Sequence, residues 1–139
     1  GLGIHITEDL KNNRVFPKAE YKNTYAGGLN LLDYITGFDS VLIIDTTCGN
    51  DCQPGTIHHY SPGTFRETLH LSSEHDASFL TVLKTGKKLG FKIPGKVDII
   101  AIEILRDLFL TEKFSDNISG QYYKIRSEII NFIKKTYDL

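Results

Sequence analysis

The sequence predicts an α/β fold: three layers, α/β/α, around a mixed and mostly parallel sheet of about five strands. Three observations carry this. Val41-Leu42-Ile43-Ile44 and the nearly unbroken Val97 to Ile104 are β-branched-rich runs, as expected of strands covered on both faces. Segments with one-sided apolar stripes at helical spacing lie around them. A short link without a helix leads from Val41–Ile44 to Thr56–Tyr60. It favours antiparallel pairing, because parallel neighbours need a long crossover.

Taken in order, Gly1 to Asn13 places Leu2, Ile6 and Leu10 four apart, a helical stripe that Asn12-Asn13 stops and Pro17 bars from resuming. Ala19 to Tyr25, with its Tyr and Thr residues, reads as a short strand. Leu29, Leu32 and Ile35 predict a short helix ended by Gly37. With Val41–Ile44 these elements make an expected βαβ unit with a right-handed crossover. Thr46 to Pro54 is a polar loop with a turn signal at Gly49-Asn50-Asp51. Asp76 to Leu89 predicts a helix ended by Gly90. A final helix from about Ser119 to Tyr137 carries Tyr122, Ile125, Ile129 and Phe132, with Lys134-Lys135 at the end where the helix dipole favours cations.

The chain has 139 residues, 40% of them hydrophobic and 24% charged, and a net charge of −1. That fits one globular domain. It lacks the basic excess of a nucleic-acid binder, and its short apolar runs fall far below the roughly 20 residues that span a bilayer. Two cysteines, Cys48 and Cys52, are too few for a disulfide scaffold or a four-ligand zinc site. They read as ordinary thiols of a cytoplasmic protein.

Asp45 is the first candidate for chemistry. It closes an apolar strand, and in open α/β sheets ligands sit outside the carboxyl ends of the strands. A carboxylate there serves metal binding, phosphoryl transfer or acid–base work, or it caps the next loop by accepting backbone N–H bonds. His75, in Ser72-Ser73-Glu74-His75-Asp76 at a helix entry, is the second, since imidazole is a common metal ligand and general base. Ser73, Glu74 and Asp76 read as capping residues. Gly27-Gly28 either lets backbone N–H groups approach a ligand or partner chain, or makes a tight turn. His58 and His59 are adjacent on a predicted strand and face opposite ways, so they do not share a metal. They and His70 read as surface or half-buried, and His5 as facing solvent. Gly-x-Ser-x-Gly, His-Glu-x-x-His and Walker-type loops are absent.

The order of segments resembles the hydrogenase maturation endopeptidases, which trim the large subunit of nickel–iron hydrogenases. Gly1-Leu2-Gly3-Ile4 looks like the end of the family's opening motif, in which two acidic residues precede Gly-x-Gly and a helix. Thr24-Tyr25-Ala26-Gly27-Gly28-Leu29-Asn30-Leu31-Leu32 resembles its Gly-Gly-Thr-x-Gly-x-x-Leu-Leu stretch, with the glycines placed differently. Val41 to Asp45 resembles the strand ending in its aspartate, Pro54-Gly55-Thr56 its Pro-Gly-Thr, and Ser73-Glu74-His75 its Ser-x-His. Ile102-Glu103 and Phe114-Ser115 are similar to its Gly-Ile-Glu-Pro and Leu-Ser-Pro, with Ile104 and Asp116 in place of the prolines.

The resemblance implies a phosphorylase/hydrolase-like fold and a single protease domain over 1–139. It implies an endopeptidase that removes the C-terminal extension of a nickel-loaded hydrogenase large-subunit precursor. Asp45 and His75 would be two of three nickel ligands. Either the metal activates the attacking water, or it serves only for recognition and Asp45 is catalytic as an aspartic-type general base. Gly27 and Gly28 would line the substrate site. The nickel would come with the substrate, and cadmium or zinc could replace it. The third ligand, a carboxylate, is expected just upstream of Gly1, together with a first strand. The absence of any Met and the start at Gly1 agree with that expectation, which puts the natural protein at about 160 residues. The expected protein is a cytoplasmic monomer whose partner is a protein rather than nucleic acid or membrane.

A different class stays open: a non-catalytic flavodoxin-like or receiver-like regulatory domain, with Asp45 as acceptor or Mg²⁺ site. An all-parallel regulator fits poorly with Pro54-Gly55-Thr56 leading into an antiparallel strand. Leu105-Arg106-Asp107 also stands where a receiver would place a Lys after its last strand.

Overall fold

The computed structural model describes residues 1–47, 53–61, 79–104 and 116–139. Helix α1 spans Leu2–Asn12, and its expected stripe of Leu2, Ile6 and Leu10 is buried. A single 3-10 turn, Gly28–Leu31, opens on Gly28 in the left-handed region (φ 57) and leads into α2, Leu32–Ile35. This is the expected short helix with a shifted stripe. Leu31, Leu32 and Ile35 are buried, whereas Leu29 is 54% exposed.

Strand β1 is Ser40–Thr47, β2 is Ile57–Tyr60, and β3 is Lys96–Glu103. The sheet order is β1-β3-β2, with β1 parallel and β2 antiparallel to β3. The mixed α/β character is as expected, and Thr56–Tyr60 does run antiparallel. Its partner, however, is β3 rather than the preceding strand. Val97 and Ile99 to Ile102 are all buried, and a strand with no wettable side belongs in the middle of a sheet with neighbours on both edges.

One expectation is corrected. Ala19 to Tyr25 is not a strand, so the βαβ unit expected over residues 19–44 does not form; the described residues contain three strands. Strand preference acts through a neighbouring strand. This segment instead bonds locally, Tyr21 Oη to Phe16 O and Ala26 N to Thr24 Oγ1. A cavity of about 660 Å³ lies along the outer edge of β1, lined by residues of this segment and of Ser40–Asp45. The parallel unit of the fold is β1, then α3 (Phe79–Lys88), then β3.

Side chains alternate across the sheet and build two cores. Leu42, Ile44, Ile100 and Ile102 join α1 and the last helix, α4 (Asp116–Thr136). Val41, Ile43, Val97 and Ile99 join Leu31, α2 and α3. These are the outer layers of the expected α/β/α arrangement. In α3 the expected Phe79, Val82 and Leu83 are buried, Leu89 is exposed, and Gly90 (φ 89) ends the helix.

Polar clamps fix α4. Asp9 of α1 accepts bonds from Tyr122 Oη and Arg126 Nε. On β3, Asp98 accepts bonds from Tyr137 Oη and His59 Nε2. Burial alone pushes the Asp98 carboxyl up. The bonds from Tyr137 and His59, with the charges of His59 and Lys96, outweigh this and hold it below its ordinary value. Among the described residues no helix is long and apolar enough to cross a membrane.

Candidate active site

Asp45 sits two residues before the end of β1 and is 8% exposed. Its register partner is Ala101, which in turn pairs with His58. By the two-residue alternation Asp45 therefore faces the α2–α3 side, following Val41 and Ile43. Its Oδ1 accepts the N–H of Thr46 at 2.8 Å, so part of the expected capping role is present. One carboxylate oxygen is thereby oriented by the backbone.

The ground around Asp45 is built by close packing. A Cβ on Gly3 would stand 2.7 Å from Ile44 O and 3.7 Å from Asp45 Cα. Only glycine lets the first turn of α1 lie this near the β1 backbone. The cavity beside β1 reaches Asp45, with Thr24 and Ala26 also in its wall. Gly27 and Gly28 follow directly, half-buried, and their left-handed step opens the 3-10 turn. The pair thus forms the tight turn, next to the cavity wall at Ala26.

Helix α3 lies on Asp45's face of the sheet. Its last turn is tied to the amino ends of the strands, since the chain enters β3 at Lys96 a few residues beyond Lys88, and Gly37 N and Gly95 N bond to Lys92 O and Asp39 O. Its first residue, Phe79, therefore points toward the carboxyl ends. His75, Ser73, Glu74 and Asp76 lie outside the described residues, as do Cys48, Cys52 and His70. Among the described residues no cluster of three or more His, Cys, Asp or Glu could hold a metal ion.

The described histidines, His5, His58 and His59, lie as expected. His58 and His59 face opposite sides: His58 Nε2 lies 3.1 Å from Glu103 Oε1, and His59 Nε2 lies 2.8 Å from Asp98 Oδ1. His5 is exposed, edge-on to Tyr122 at 5.2 Å. Glu103 is a site-side carboxylate that residue-by-residue reading passed over. The signal was there, a carboxylate closing an apolar strand, the same signal that marks Asp45.

A family model described as hydrogenase maturation protease matches residues 4–132. The chain belongs to the hydrogenase maturation protease family. Among solved structures it is similar to the hydrogenase maturating endopeptidase HybD from E. coli, at 16% identity and a TM-score of 0.61. That match covers 97% of this chain and 83% of the other, and at this identity it speaks for the fold. No curated protein sequence matches significantly. Family membership makes the chain a peptidase, a hydrolase. The antiparallel β2 separates it from the all-parallel regulatory domains that the sequence left open.

Proposed function

We propose that this protein removes the C-terminal extension of a nickel-loaded [NiFe] hydrogenase large-subunit precursor. The observation that carries the reading is Asp45: a buried carboxylate at the carboxyl end of β1, oriented by Thr46 N–H and bordering a cavity. In this reading the nickel belongs to the substrate. Asp45 and His75 are the ligands this chain offers to it, and Gly27-Gly28 borders the path of the substrate tail. Carboxylate oxygen and imidazole nitrogen suit a borderline divalent ion. The direction of α3 supports the pairing, because Phe79 stands toward Asp45's end of the sheet and a residue four positions earlier in the chain is at most about 14 Å from it. The resemblance adds a third ligand, a carboxylate, and among the described residues β1 stands at one edge of the sheet.

The chemistry assigned to Asp45 is general-base hydrolysis. The carboxylate takes a proton from a water whose oxygen adds to the scissile carbonyl. The proton then passes to the departing amine as the C–N bond breaks, and two peptides result. We place the protein in the cytoplasm as a monomer.

The test is incubation with a nickel-loaded large-subunit precursor, read by intact mass. The expected result is loss of a short C-terminal peptide with wild-type protein and none with Asp45→Asn. An unchanged precursor mass with wild-type, folded, full-length protein refutes the reading.

A further inference from the structure

We propose that Glu103 is a positioning residue of the Asp45 site, holding the arm Gln53–Thr56 as a rim at Asp45's end of the sheet for a substrate tail to bind against; the inference rests on the function proposed above. Glu103 is the last residue of β3, and its register partner is Thr47, the last residue of Asp45's strand. Because Ala101 pairs with Asp45, Glu103, two residues on, projects to the same face of the sheet. Strand β2 lies on β3's far edge, and Gln53–Thr56 leads into it beside the end of β3. Gln53–Thr56 closes a turn of its own, Thr56 N to Gln53 O at 3.2 Å, and its other described bonds land on Glu103. Gly55 N donates to Glu103 O at 2.8 Å, and Glu103 N donates to Thr56 O at 2.8 Å. Gln53 N donates to the carboxylate Oε2 at 3.1 Å. The other carboxylate oxygen, Oε1, lies 3.1 Å from His58 Nε2, and the His58 ring stacks on Tyr60 at 5.9 Å.

The carboxylate thus joins three things: the end of the central strand, the returning arm and a histidine on Asp45's face. The backbone bonds at Gly55 and Thr56 survive any side-chain change. The Gln53 and His58 contacts do not. Removing the carboxylate frees the arm's first residue while leaving the sheet, and with it Asp45, in place. Binding of an extended tail suffers when the rim is loose, whereas the reacting groups stay where they were.

The test uses the full-length protein and nickel-loaded large-subunit precursor, with initial rates of tail release measured against precursor concentration. Glu103→Ala is expected to raise KM about tenfold, the loss that goes with one hydrogen bond to a charged acceptor, with kcat within about twofold of wild type. Glu103→Gln keeps an acceptor for Gln53 N–H and is expected to recover most of the KM. Gln53→Pro removes the donor from the other side and is expected to raise KM as Glu103→Ala does, so the question is answered even if Glu103→Ala fails to fold. A wild-type KM in folded Glu103→Ala or in Gln53→Pro overturns the proposal, as does a loss confined to kcat. If wild-type protein releases no tail, the function reading falls instead. Amide exchange then decides this inference alone: exchange at Gln53 should speed about tenfold in Glu103→Ala with Gly55 unchanged, and equal exchange overturns it.

Discussion

Replacing Gly3 by Ala tests how tightly the first turn of α1 is pressed against Asp45's strand. The added Cβ would stand 2.7 Å from Ile44 O and 3.4 Å from Ile44 C. Both are backbone atoms of a strand locked by its parallel register to β3, so neither can swing aside as a side-chain tip would. The helix must retreat by roughly half an ångström or more, at a cost of about 1–3 kcal/mol for overpacking. Ala gains up to about 1 kcal/mol over Gly in helix propensity, and less near a helix start. The net expectation is about 1–2 kcal/mol of destabilisation, which lowers Tm by about 3–8 °C for a chain of this size. Circular-dichroism melts read this directly. Gly120→Ala is the control: it lies in α4 with nothing within 4 Å of the added carbon, so propensity acts alone and Tm should rise. A Gly3→Ala protein that melts at or above wild type, alongside a stabilised Gly120→Ala, refutes the close approach of α1 to β1.

Three further outcomes are expected. Ile129→Ala, at a fully buried position of α4 facing the sheet, should cost about 2–5 kcal/mol in denaturant unfolding; a loss under about 1 kcal/mol would mean that α4 does not pack there. Asp98 has a carboxyl held below its ordinary value in the fold, so its contribution is present above the unfolded-state value of about 4 and is lost as pH falls through the lower folded value. Asp98→Asn should therefore reduce stability at neutral pH and flatten the acid limb below about pH 4; parallel stability–pH curves for the two proteins would contradict this. Asp45→Asn and His75→Ala should each weaken nickel or cadmium binding in calorimetry while the melting curve stays cooperative, and undiminished binding in both would remove them as ligands.

Elements whose signal is carried by their own side chains were legible. The stripe of Leu2, Ile6 and Leu10 marks α1, and the β-branched runs mark β1 and β3, because burial of those faces is decided by local periodicity. What depends on a distant partner was not legible. Ala19 to Tyr25 has the composition of a strand, but a strand also needs an edge to bond to, and in this structure its backbone bonds locally beside the cavity. Thr56–Tyr60 shows its antiparallel direction through the short link before it. Its neighbour is β3, some forty residues later, selected because β3 is the most apolar strand and is stable only with both edges covered.

The site divides in the same way: Glu103 entered only as part of a family-like segment, whereas Asp45 stood out as a candidate for chemistry. Both carboxylates close apolar strands, and both project to one face at one end of the sheet. Each follows four apolar residues without interruption, Val41 to Ile44 and Ile99 to Ile102, so both strand ends are visible within a single window. What the window does not show is the set of partners of Glu103, which come from elsewhere in the chain: Gln53, Gly55, Thr56 and His58. Its role exists only once β2 has taken the far edge of β3 and brought Gln53–Thr56 beside it. A histidine two positions into β2 then meets the carboxylate because β2 is antiparallel; in a parallel β2 the residue beside Glu103 would come from the strand's other end. Strand direction thus selects the partner of Glu103, and a prediction about that residue tests the topology as much as the chemistry.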